Sequence, residues 1–121
     1  MYNTRYCKVL YVEKRNAIFC QWKQFCSGDD YRLALQHGAS LVHEKQPSLW
    51  ITDTTDGFQN EVADTEWLLE KFTPQLIKSS VKKLVFIIKE DSPLYSEIEK
   101  QVDFLEQFFE VALVERLEWV L

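Results

Sequence analysis

Apolar residues recur along this chain in two rhythms, and the switches between them mark out its elements. Residues 6–12, YCKVLYV, and 17–22, AIFCQW, have the short, β-branched and aromatic make-up of strands. They flank a polar group at 13–16, which predicts an antiparallel hairpin. With Val12 opposite Ala17, the residues Cys7, Val9 and Tyr11 share a face with Ile18, Cys20 and Trp22. Tyr6, Lys8, Leu10, Phe19 and Gln21 take the other face. The first face is the more apolar and is expected to meet helices.

At 27–45, SGDDYRLALQHGASLVHEK, the spacing changes to three and four. Tyr31, Ala34, Leu35, Gly38, Leu41 and Val42 fall on one helical stripe. Ser27 and Asp30 stand at capping-box spacing, and Asp29 and Asp30 suit the positive end of the helix dipole. A glycine inside a helix costs about 1 kcal/mol relative to alanine, so Gly38 implies close packing of this helix on a sheet.

SLWITDT, after Pro47, is apolar at consecutive positions and reads as a strand covered on both faces. A helix over 64–79 follows, kinked or restarted at Pro74, whose ring removes a donor and crowds the preceding turn. KKLVFIIK is another buried strand. Asp91, Ser92 and Pro93 open a helix to about residue 106, with Ile98, Val102 and Leu105 on its stripe. FFEVALV is the last strand and ERLEWVL a short closing helix. The order is a hairpin, three helix–strand units and a helical turn. That order predicts a mixed α/β sheet, mainly parallel with right-handed crossovers, in a single domain spanning 1–121.

Composition narrows the function classes. Eight Phe, five Tyr and four Trp in 121 residues are enough for one packed core. A formal net charge of −5, with basic residues gathered only at Lys82-Lys83 and Lys14-Arg15, provides no stripe for nucleic acid. Cys7, Cys20 and Cys26 are odd in number and lack metal-ligand spacing. His37 and His43 are six apart, so they point in different directions from one helix and do not share a metal. The longest apolar run, LVFII, is too short to span a bilayer, and MYNTRYC does not read as a leader. A cytoplasmic protein with free thiols, no cofactor and no membrane span is expected.

The stretch 49–72, LWITDTTDGFQNEVADTEWLLEKF, holds the candidate chemistry. Asp53 ends a strand and Asp64 begins a helix, a junction where ligands gather in open α/β sheets. Residues 53–66 contain five acids and no Lys or Arg, which repels phosphate, and Gly57 stands alone rather than in a phosphate cradle. DTTDGFQNE lacks the alternate-position ligands of a calcium loop. The plain structural expectation is that Asp53 bonds its own loop and Asp64 caps its own helix. Cys26 lies where the positive end of a helix lowers a thiol's pKa, opposed by Asp29 and Asp30, and no base accompanies it. Trp22, Trp50, Trp67 and Trp119 are expected in the core, with Trp50, Trp67 and Phe72 as walls of any apolar pocket between helices and sheet.

YVEKRNAIFCQW before a capped helix, then LWITDTTDGF, DTEWLLEKFTPQL and the terminal LEWVL, together resemble the STAS-like (SpoIIAA-like) α/β family. Within it, a bacterial branch related by fold to the CRAL-TRIO lipid carriers is more similar than the anti-sigma-factor antagonists. In the antagonist proteins of that family, a serine following an aspartate at this helix start is phosphorylated, which controls docking to a partner. The matching pair is Asp64 and Thr65, although DTEW replaces the family's Asp-Ser-Ser-Gly run and the loop after Asp53 is longer. Two expectations follow. The first is a non-enzymatic interaction or regulatory module presenting Asp53, Asp56, Asp64 and Thr65 to a protein partner or a second copy. The alternative is a carrier or sensor of a small apolar, lipid-like ligand held by Trp50, Trp67 and Phe72.

Overall fold

A computed structural model describes residues 1–120. Leu121 and the side chain of Trp119, both in the stretch expected as a closing helix, lie outside the described residues.

The two alternating segments form strands β2 (Cys7–Val12) and β3 (Ala17–Trp22), paired antiparallel with Val12 opposite Ala17 and Cys7 opposite Trp22. The polar residues between them make a single 3-10 turn, closed by Asn16 in the left-handed region (φ 49°) with its side chain bonded to Tyr11 Oη. A further strand, β1 (Tyr2–Asn3), pairs antiparallel with β2 and was not foreseen. Two residues are too few to carry a period. The device that folds them back is the Thr4 hydroxyl, which accepts the N–H groups of Tyr6 and Cys7.

From β3 the chain runs through α1 (Gly28–Lys45), β4 (Leu49–Asp53), α2 (Val62–Trp67), a π-helical turn (Leu68–Phe72), α3 (Thr73–Ile77), β5 (Lys83–Ile87), α4 (Tyr95–Leu105) and β6 (Glu110–Val114). A 3-10 turn at Leu117–Trp119 closes the described chain. The sheet has six strands in the order β1-β2-β3-β4-β5-β6, with β3 to β6 parallel. It is the predicted mixed α/β sheet: hairpin first, helix–strand units after.

Each crossover steps one strand further the same way, so a common handedness puts every helix on one face. Tyr31 and Leu35 of α1, Phe72, Leu76 of α3, and Ile98 and Leu105 of α4 all pack into one core with Val9, Ile18, Trp50, Leu84 and Phe86. The more apolar hairpin face is the one that meets them, as its composition predicts. Gly38 lies on α1 against the Trp50 indole. A Cβ there would overlap Trp50 Cη2 and stand 3.0 Å from Cζ3.

The opposite face is covered too, as the apolar run of β4 predicts. Ala17, Phe19, Ile51, Val85 and Ile87 are buried there by neighbouring strands and by Leu117 and Val120 of the closing turn, with no α-helix layer among the described residues. The helix expected over 64–79 starts earlier, at Val62, and absorbs Pro74 through the π turn rather than a break. Thr73 makes this work: its N–H and its hydroxyl both donate to Leu68 O, so one widened turn accommodates the missing proline donor. Helix α4 starts later than predicted, because Ser92 and Pro93 are spent on a turn in which the Ser92 hydroxyl accepts the Leu94 N–H.

Candidate functional site

Strands β3, β4 and β5 are parallel, so the three loops that leave their carboxyl ends gather at one edge of the sheet. They are residues 23–27, 54–61 and 88–94. Beneath them, between the helical layer and the sheet, lies a cavity of about 100 Å³ that opens to solvent. This is the position where open α/β sheets collect ligands.

The cavity walls are mostly apolar, and its aromatic rings hold one another. Trp22 stacks on Tyr31 at 5.0 Å between centroids and 15° between planes. Phe58, from the loop after β4, meets Trp22 edge-on at 5.7 Å, and exposed Phe25 leans on Phe58. On the other wall Trp50 meets Phe72 edge-on at 5.3 Å. Offset and edge-on pairs of this kind stabilise each other beyond the area they bury. Gly57 lets the loop fold tightly over this wall: its N–H donates to Thr54 O, and a Cβ would stand 2.9 Å from that same oxygen.

Of the three aromatics expected as walls, Trp50 and Phe72 line the cavity. Trp67 stands one layer back, half-buried, stacked on Phe72 at 6.2 Å with the Arg32 guanidinium over its ring. Sequence reasoning missed Phe58, Glu97 and Gln101 as lining residues. The last two were visible in principle. They lie at helical spacing with Leu94, Ile98 and Leu105, so they are polar groups on the inner stripe of α4.

The four acidic-loop residues are scattered rather than assembled. Asp53 points to the face opposite α1 to α4, where it accepts the N–H and hydroxyl of Thr55 (2.9 and 2.6 Å) and the Gln21 amide (3.2 Å). It bonds its own loop, as expected. Asp64 does not cap its own helix. It is 1% exposed, and its carboxylate accepts the Gly28 N–H at the start of α1, with Arg32 Nε 3.6 Å away. The capping box expected at Ser27 is absent for the same reason: the Ser27 side chain makes no cap, and Asp64 takes over that duty from another helix. Asp56 is exposed and Thr65 half-buried.

All three thiols are free and buried. Cys26 is buried, and burial together with Asp30 pushes its thiol up to about 12, outweighing the pull of the α1 terminus. Cys7 and Cys20 are fully buried with their sulfurs 3.7 Å apart, and hydrogen bonding to Cys7 and burial raise the Cys20 pKa. Among the described residues, no three His, Cys, Asp or Glu side chains gather into a metal site, and no helix is long and apolar enough to cross a membrane.

No family model, curated protein or solved structure matches this chain.

Proposed function

We propose that this domain takes up a small apolar molecule in the cavity at the carboxyl edge of its sheet, without transforming it, as a carrier or sensor. The observation that carries this reading is the cavity of about 100 Å³ walled by Trp22, Trp50, Phe72 and Phe86 beneath the loop 54–61. An apolar cavity of about 150 Å³ stays dry and binds benzene. This one suits a ring or a short branched alkyl group rather than a whole acyl chain. The STAS-like assignment belongs to the same proposal, supported by the sequential sheet with its helices on one face. The reading through an acidic recognition surface has less support, since Asp53 and Asp64 are committed to internal hydrogen bonds.

The test is a sealed titration with toluene, read by tryptophan fluorescence, since Trp22 and Trp50 face the cavity. Saturable quenching or enhancement, matched by a rise in melting temperature with ligand concentration, is the expected result. Ile98→Phe, which fills the cavity from α4, should abolish both. Absence of a saturable signal in the unmodified protein would refute the proposal.

A second reading, contact with a protein partner or another copy of this chain, is favoured by one feature. Phe104 and Phe108 are both exposed and pack edge-on at 5.5 Å at the end of α4. If they serve a contact, replacing both with serine will lower the sedimentation coefficient at high concentration or abolish capture of a partner.

A further inference from the structure

The polar groups of the cavity divide into those already bonded and those left over. Thr54 Oγ1 donates to Ile87 O (2.8 Å), Thr73 Oγ1 donates to Leu68 O (2.8 Å), and Thr52 Oγ1 accepts the Trp50 indole N–H (3.0 Å). The Asn60 amide donates to Tyr31 Oη (3.2 Å). What remains is one carboxylate and one amide, Glu97 and Gln101, a helical turn apart on α4 and both facing the cavity. Among the described residues neither has a hydrogen-bond partner, and Lys100 acts on Glu97 only from beyond ion-pair distance.

Among the described residues, Glu97 is the one charged residue of the lining. Loss of water at the cavity lip raises its carboxyl pKa, against the weaker pull of Lys100. The three loops at this edge are acidic on balance, with Asp56, Glu61, Glu90 and Asp91 against Lys23 and Lys89. The loop 54–61 over the mouth contributes exposed Asp56 and Glu61 and no Lys or Arg. An apolar chamber with an unpaired carboxylate at its lip, beside loops that are acidic on balance, discriminates by charge. A cation gains a charge-assisted hydrogen bond there, a neutral molecule gains less, and an anion is repelled.

We infer that the ligand class is an apolar amine: its hydrocarbon body fills the cavity, and its ammonium group donates to the Glu97 carboxylate and to the Gln101 side-chain oxygen. This rests on the cavity reading above and adds to it the chemistry of the ligand's polar end. An amide or alcohol would engage the same acceptors without the charge, so the comparison of charged with uncharged probes is decisive.

The experiment titrates the intact chain and Glu97→Gln with three probes that share a phenyl ring: benzylamine, toluene and phenylacetate, near neutral pH. Tryptophan fluorescence gives each Kd, and a melting curve of each protein establishes that the variant is folded. The expected result is benzylammonium at least about tenfold tighter than toluene, with phenylacetate weakest, as a charge-assisted bond predicts. In Glu97→Gln the ratio of the toluene Kd to the benzylammonium Kd should fall to about one. Equal affinity for benzylammonium and toluene, or a preference that survives in Glu97→Gln, overturns the inference and leaves the cavity reading standing. No binding of any of the three overturns both.

Discussion

The carboxylate of Asp64 holds the backbone of Gly28, with both of its oxygens 3.1 to 3.2 Å from the Gly28 N–H. Thirty-six residues separate the two in sequence. The contact supplies an acceptor to an unsatisfied helix donor and fixes the start of α1 against α2. Asp64→Ala would strand that donor and leave Arg32 Nε, already without a hydrogen-bond partner, without its counter-charge. A loss of about 2–3 kcal/mol is expected from urea denaturation. Asp64→Asn keeps an acceptor oxygen and should lose roughly half as much.

Gly38→Ala should destabilise even though alanine is the better helix former. The overlap with Trp50 costs about 1–3 kcal/mol as overpacking, against a propensity gain of about 1 kcal/mol. The net effect is a lowered urea midpoint, and Trp50→Phe in the same chain should recover part of it by shortening the ring edge that clashes.

The three thiols should be silent in the folded protein. Ellman's reagent at mildly alkaline pH is expected to report no reactive cysteine until guanidinium is added, and then all three. Cys26 also sets a direction for alkaline stability. Its thiol is held up to about 12 in the fold, so above the ordinary thiol range the unfolded chain releases its proton first. Stability therefore falls as pH rises from about 9 toward that value. Cys26→Ala should flatten this limb of a stability–pH curve.

Glu97 acts in the acid range with the same sign. Its folded pKa is raised, so its protonated form is the favoured one; that contribution is complete below the unfolded glutamate value and is lost as pH rises through the folded one. At neutral pH the charged carboxylate therefore opposes folding slightly. Glu97→Gln should raise the melting temperature of the ligand-free protein at neutral pH, and the gain should vanish in mild acid.

Trp67→Ala should cost about 2–3 kcal/mol, below the loss usual for a fully buried tryptophan. The indole is half-buried behind Phe72 and Tyr31 rather than sealed in the core. Toluene affinity should change less than in Phe72→Ala, whose ring lines the cavity itself.

What could be read from sequence was what has a period. Given Val12 opposite Ala17, the two hairpin faces follow from alternation, and the α1 stripe and the meaning of Gly38 follow from spacing of three and four. What could not be read depended on contacts across sequence. Asp64 looked like a local cap because local caps are common, and only the packing of α2 on α1 turns its carboxylate toward Gly28. Asp53 and Asp64, at the two ends of the loop's acid run, diverge because alternation along β4 sends Asp53 to the face opposite α1 to α4. The π turn needed the Thr73 bonds to Leu68, which no propensity encodes.

The sheet places every strand beside the one made just before it. Its pairings can therefore form in the order a ribosome delivers the strands. Among the described residues, β6 is joined to β5 alone. A chain stalled or clipped before residue 110 would still hold each earlier pairing, but with β5 as a raw border ready to accept a foreign strand.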